Sequence, residues 1–367
     1  MSETTVLSGL ELTKWKKNFI REMVRDSGFE PYMGTSVNDI IHVINDLQTD
    51  GYTIRVPLLK QLSGSGVSGN TRLSGNEEQL NQFYQDVAWE FYRHGVEISK
   101  KEREKSAVDL LEAVRPQLND WSAEKIKYQI IDSFHAMNGV KYQDATDAQK
   151  NAWTAANVDR VLFGAAVSNY SATHATGLGN VDNAADKLTT SVATLARRLA
   201  RKARPRIRPF KTGTQGREYF VMFCHPLCFR DLKADSVMTT ANRDARPRDV
   251  DANPLFQDGD LIYDGIIFRE IPEFYQPLSE ADTVNTATTI ASTIQVGANF
   301  LCGAQALGYV NKQMPTPTSK KETDYDFFKG MGIEFANGIE KLTWNNGADT
   351  RKDVGIFTVY AAAVADA

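Results

Sequence analysis

The stretch that most constrains this chain is GSGVSGNTRLSGNEEQL, Gly64 to Leu80, set between two segments of alternating apolar residues. It holds the spacing G-x-G-x-x-G at Gly64, Gly66 and Gly69. That spacing binds a dinucleotide only when a buried strand precedes it and a helix opens on its last glycine, so that free amides and the helix dipole meet the pyrophosphate. Upstream, TIRVPLLKQL places Pro57, which has no amide donor, together with Arg55 and Lys60 where a central parallel strand needs an unbroken apolar run. Downstream, Asn70, Ser74, Gly75 and Asn76 are turn formers. The context argues against an NAD-dependent oxidoreductase, and no cofactor is expected. A long hairpin fits better, with YTIRVPLL as one arm, the glycines at its tip and QDVAWEFYRHGVEI as the return. The return arm also matches helical spacing through Leu80, Phe83, Tyr84, Val87 and Phe91, but its aromatic content and Gly95 favour a strand.

A chain of 367 residues is long enough for two or three lobes. Its net charge of −4 argues against a dedicated nucleic-acid binder. No apolar segment is long enough to span a bilayer, the N-terminus lacks the apolar core of a secretory signal, and no membrane partner is expected. Three cysteines suit a reducing, cytosol-like compartment. Leu12, Trp15, Phe19 and Met23 predict an N-terminal amphipathic helix. TSVNDIIHVINDL reads as a helix or an extended segment. Ala107, Leu110, Leu111, Val114 and Leu118 predict a long helix that Pro116 kinks or divides, with Ser122 capping a further helix through Ile126, Ile130, Phe134 and Met137. REYFVMFCHP predicts a buried strand, LCFRDLKADS the helix after it, and LIYDGIIFREI two strands. The stretch from Gly338 to Val364 predicts a hairpin turning near Asn346 and Gly347.

No motif of a hydrolase, a zinc protease or a phosphate-binding loop is present, and no catalytic residue is expected. His42, His94, His135, His174 and His225 are scattered. CHPLC gathers Cys224, His225 and Cys228, but a structural zinc needs four well-spaced ligands, so these thiols and Cys302 are read as reduced, metal-free small hydrophobes. Asp249, Asp251, Asp258, Asp260 and Asp264 do not match a calcium-loop spacing and read as turn residues. ARRLARKARPRIRPFK carries eight basic residues and no acid between Ala196 and Lys211. Arg197, Arg198, Arg201, Lys202 and Arg204 fit one flank of a helix, a stripe for a neighbouring subunit's acids or for phosphate; pairing with a subunit is preferred.

The order of these parts resembles the tailed-bacteriophage major capsid proteins of the Hong Kong 97-type fold, in the podovirus-like branch. An amphipathic arm leads to FEPYMGTSVNDII, then to the two-armed loop with its Gly75-Asn76-Glu77-Glu78 turn, a long helix, a mixed domain holding YFVMFCHPLCFRDLKADS, NPLFQDGDLIYDGIIFREI and FLCGAQALGYV, and a terminal hairpin. The resemblance runs from about Phe19 to Val364 and implies an α+β fold. Residues 1–50 form an N-arm, 51–98 the extended E-loop, 99–140 with 326–367 the peripheral domain of spine helix and C-terminal hairpin, and 141–325 the axial domain. It implies self-assembly into pentamers and hexamers of an icosahedral shell around double-stranded DNA, in the host bacterial cytoplasm. Portal, scaffold and optional decoration proteins are its further partners, with weak non-specific contact to DNA. Members that crosslink subunits join lysine to asparagine; Lys60 and Asn70 are not assigned that role. An encapsulin-like compartment shares the fold and is the alternative. The E-loop is expected to lack a core of its own. Ile54, Val56, Leu58, Val87, Trp89 and Phe91, with Gly64, Gly66, Gly69, Glu77 and Glu78, are therefore expected to meet a neighbouring subunit.

Overall fold

Sheet pairing and one long helix organise the chain in a computed structural model. It describes residues 28–45, 53–60, 62, 64–80, 82–105, 110–182, 184–212, 217–244, 261–274, 295–323, 327–345 and 351–364. The helix expected over Leu12–Met23, the aspartates from 249 to 260 and the turn at Asn346–Gly347 lie outside the described residues.

A five-stranded sheet runs in the order β1 (Met33–Gly34), β2 (Ile41–Ile44), β12 (Leu307–Thr323), β13 (Phe328–Lys341), β5 (Glu90–Ser99). TSVNDIIHVINDL thus takes its extended alternative, as β2 parallel to β12. The second sheet has seven strands: β6 (Val161–Phe163), β16 (Ile356–Ala362), β11 (Val296–Cys302), β8 (Arg217–Cys224), β10 (Ile266–Glu270) and β9 (Leu261–Tyr263), with β7 (Phe210–Thr212) added to β8. β14 (Thr343–Asn345) and β15 (Arg351–Asp353) form the expected terminal hairpin, but β16 leaves it for the seven-stranded sheet. The expected boundary at 325/326 therefore does not follow the sheets, since β12 belongs with β13 and β16 with β11. The reason is burial: every residue of β16 is buried, which suits a central strand covered on both faces rather than a peripheral hairpin arm.

After α1 (Lys100–Lys105), the spine α2 (Leu110–Phe134) contains Pro116 yet stays one helix. Ser122 is not a cap; its Oγ donates to the Asn119 carbonyl, 2.8 Å away, in mid-helix. Pro116 sits in the second turn and forfeits a backbone bond, a cost of about 3 kcal/mol. Burial of Leu118, Ile126, Ile130 and Phe134 along one stripe outweighs it.

That stripe closes a core shared by both sheets. Phe29 and Phe134 each lie 5.2 Å from the Phe223 ring of β8, and Ile333 and Phe335 of β13 join the same cluster. On the other face of the seven-stranded sheet pack α5 (Thr190–Lys202) and α6 (Pro226–Ala234). Ala193, Ala196 and Ala200 let α5 lie close to the strands, and Thr189 caps it by accepting from the Val192 amide. Cys224, Cys228 and Cys302 are all buried in these cores, and burial pushes the Cys302 thiol up. The remaining helices are α3 (Asp147–Ala156), α4 (His174–Gly179) and α7 (Ser236–Asp244).

Candidate assembly surfaces

Arg55 and Asp86 pair across an antiparallel ribbon, β3 (Thr53–Leu59) against β4 (Gln82–Ala88), through two bonds of 2.7 and 2.9 Å. A strand sends alternate side chains to opposite faces. Thr53, Arg55, Pro57 and Leu59 therefore share the outer face with Tyr84 and Asp86, while Ile54, Val56 and Leu58 share the inner face with Phe83, Gln85 and Val87. Between the strands, Gly66 and Gly69 hold φ of +68° and +65°, a region open to glycine at little cost. No helix follows Gly69, so the glycines shape a loop tip and not a nucleotide site.

The ribbon does have a core of its own, contrary to the expectation from sequence. Leu58 and Leu342 are buried together with Val354, and Val56, Phe83 and Trp344 pack against them. Val87 is fully buried. Gln85, also buried, donates to Glu340 at 2.9 Å and accepts from Thr343 at 2.8 Å. Burial raises the Glu340 carboxyl above its usual range. At the root, Gly338 of β13 meets the carbonyl of Ala88 so closely that an added Cβ would lie 2.0 Å from that oxygen. Of the expected contact residues, Leu58 and Val87 thus face their own subunit. Ile54, Val56 and Trp89 are half-buried, with Trp89 edge-on to Phe91 at 5.4 Å. Phe91, Gly64, Gly66, Gly69, Glu77 and Glu78 are exposed or nearly so.

What the sequence pattern missed is the outward apolar set: Leu59, Leu62, Leu73, Leu80 and Tyr84, each more than half exposed. The signal lay in Arg55 and Asp86, a charged pair that marks the outer face and assigns Leu59 and Tyr84 to it.

The basic stripe is placed on α5 and the segment after it. Arg197 pairs with Asp264 at 2.5 Å and Arg201 with Glu218 at 3.5 Å, both within the chain. Arg198, Lys202 and Arg204 are exposed, with no ion-pair partner among the described residues. Asp264, read from sequence as a turn residue, occupies a turn with φ +47°. Among the described residues no cluster of histidine, cysteine and carboxylate side chains has the makings of a metal site, and no helix is long and apolar enough to cross a membrane.

A family model described as phage capsid protein matches residues 3–365. The chain belongs to the phage capsid protein family. This capsid protein is 26% identical over 371 residues to the major capsid protein of Pseudomonas phage KPP25, spanning 97% of this chain and 96% of that one. Its structure is similar to the cyanophage Pam1 capsid asymmetric unit, with a TM-score of 0.83, 36% identity and 94% of each chain covered. It shares its fold with the capsid of Ralstonia phage GP4, at a TM-score of 0.67, 18% identity and 92% of each chain. The capsid protein has the Hong Kong 97-type α+β fold, and as a phage major capsid protein it assembles with copies of itself into the shell of the virion. Neither the encapsulin-like compartment nor the oxidoreductase is favoured by these findings.

Proposed function

We propose that the protein forms pentamers and hexamers of a closed icosahedral shell around double-stranded DNA, and that its E-loop binds by its outer face to the adjacent subunit. One observation carries this reading: Leu59, Leu62, Leu73, Leu80 and Tyr84 stand exposed along a single projecting arm. So many large apolar side chains left in water on one element mark an interaction site. The contact joins unlike surfaces, arm to body, so it repeats around an axis and closes into a ring when the rotation allows. The N-arm of residues 1–50 and the E-loop of 51–98 are extensions in this scheme. The spine helix with the five-stranded sheet is peripheral, and the seven-stranded sheet with α5 and α6 is axial. Assembly takes place in the host bacterial cytoplasm with portal, scaffold and decoration proteins as further partners, and contact with DNA is weak and non-specific.

The experiment replaces Leu73 and Leu80 by Ser and examines purified protein by electron microscopy. The expected result is soluble subunits with the parent's melting temperature and few or no shells. Shells as abundant and heat-resistant as the parent's would show that the arm's outer face is not an interface.

A further inference from the structure

We propose that the cleft beside the arm's root is the receptor for the acidic turn Arg72–Leu80 at the arm tip of a second copy. This rests on the reading that the arm crosses onto a neighbour, and it adds the place where the tip lands.

The cleft encloses about 730 Å³ between the arm and the segment that follows α5. Pro57, Leu58, Trp344 and Val354 make its apolar wall, and Arg201, Arg206 and Arg208 line the other side with Glu218. Glu218 is already engaged by Arg201. Arg206 and Arg208 flank the buried Ile207 and are themselves exposed, with no acidic partner among the described residues. Their backbone is fixed from three sides. The Ala304 amide donates to the Arg208 carbonyl at 2.8 Å, and the Ile207 amide to that of Ala200 at 3.4 Å. Buried Arg160 donates to the Pro205 carbonyl. Two guanidiniums are thus held on a rigid support above an apolar wall, a surface suited to a segment carrying carboxylates beside leucines.

The turn at the arm tip has that chemistry. Glu77 and Glu78 stand between Leu73 and Leu80, which are 59% and 52% exposed. The turn is shaped before it docks: the Asn76 amide donates to the Leu73 carbonyl at 2.8 Å, the Gly75 amide to Glu77 at 2.7 Å and the Gly64 amide to Glu78 at 2.6 Å. Ordering it on binding therefore costs little. In its own chain the turn stays in solvent and leaves the cleft open. The N-terminal segment is a poorer occupant, because Lys14, Lys16, Lys17, Arg21 and Arg25 outweigh Glu3, Glu11, Glu22 and Asp26 and leave it no net negative charge to offer the cleft. A smaller cleft of about 230 Å³ along the spine is a poorer receptor. Its Lys125 and Lys141 stand among Glu90, Asp132 and Glu340, and Lys141 is bound to Asp132 at 2.7 Å.

The test uses assembled particles carrying Glu77→Cys with Arg206→Cys, treated with a short bismaleimide and run on a denaturing gel. The three native thiols are buried and give little background. A ladder of linked subunits, absent from either single variant, is the expected result. No ladder with Arg206→Cys overturns the proposal. If a ladder then forms with Lys125→Cys instead, the arm still reaches a neighbour and only its landing site was wrong. If neither ladder forms and the Leu73→Ser/Leu80→Ser shells match the parent, the arm reading fails as well. The charge argument is tested by Arg206→Gln/Arg208→Gln, expected to weaken empty shells. An effect confined to DNA-filled shells would assign the cleft to the genome and overturn the proposal.

Discussion

His135 and His174 are buried where the end of the spine meets the seven-stranded sheet, and their protonation sets how the subunit responds to acid. His135 stacks on Tyr142 at 4.0 Å and lies 3.1 Å from the Tyr360 hydroxyl, while His174 bonds Tyr142 and Thr154 at 3.2 and 3.0 Å. Burial, with Lys150 adding to it, lowers His174 to about 3; burial, Lys341, His174 and Lys150 hold His135 well below its ordinary value. Both rings are neutral in the folded chain, whereas unfolded histidine binds a proton near pH 6.5. The contribution of His174 is therefore complete above about pH 6.5 and is lost as pH falls from there towards 3, by about 1.4 kcal/mol per pH unit, and His135 adds to the loss in the same direction. Asp86 and Asp235, both lowered, add to the loss only in stronger acid, and Glu340, raised by burial, opposes it. Calorimetry of the subunit should show the melting temperature falling between about pH 6.5 and 4.5. His174→Gln should flatten that slope; an unchanged slope would rule this histidine out as a source. In the sequence both histidines stand scattered. Nothing in their spacing reveals that α3, α4 and β16 converge around them.

The arm shows how much of an element its sequence discloses. Alternation in YTIRVPLL and QDVAWEF made the strands legible, and the glycines made the tip legible. Periodicity of two defines two faces but not which one is inward, and Leu342 and Val354, which decide it, lie hundreds of residues away. Alternation alone thus assigns Leu58 to a neighbour, although it caps a small core within its own subunit. Leu58→Ala should loosen the arm's attachment by about 2–5 kcal/mol, the range for removing a buried leucine side chain. Amide exchange should then speed up through β3 and β4, and stay at the parent's rate in Leu73→Ser/Leu80→Ser. Equal acceleration in both variants would mean that the two faces are not distinct. Gly338→Ala should act at the root, because its Cβ would meet the backbone oxygen of Ala88, which no rotamer change can relieve. Lower stability with faster exchange at Ala88 is expected; parent-like exchange there would count against the close approach.

At the scale of the molecule, the succession of elements was readable from sequence but their allocation to sheets was not. The chain passes from β13 to β16 through a short hairpin, and only long-range pairing shows that it changes sheets there. A buried ion pair marks the crossing. Lys341, the last residue of β13, lies 3.1 Å from Asp353 of β15, and the two side chains are 4% and 1% exposed. Trp153 donates to the same carboxylate at 3.2 Å, and the Asp353 amide donates to Asn157 at 2.9 Å. Removing one partner of such a pair strands the other charge in the interior, at a cost of about 3–5 kcal/mol, even though the intact pair need not be more stable than two apolar residues. Asp353→Asn should lower the subunit's unfolding free energy, read from urea titration, by that amount, and added salt should not restore it, since screening acts weakly on buried charges. Replacing both partners, Lys341→Met with Asp353→Leu, should recover much of the loss. The core around Phe134, Phe223 and Phe335 spans both sheets, so tryptophan fluorescence and circular dichroism should report one coincident transition in every variant. Separate transitions would mean that the sheets unfold independently and that the pair stabilises one of them alone.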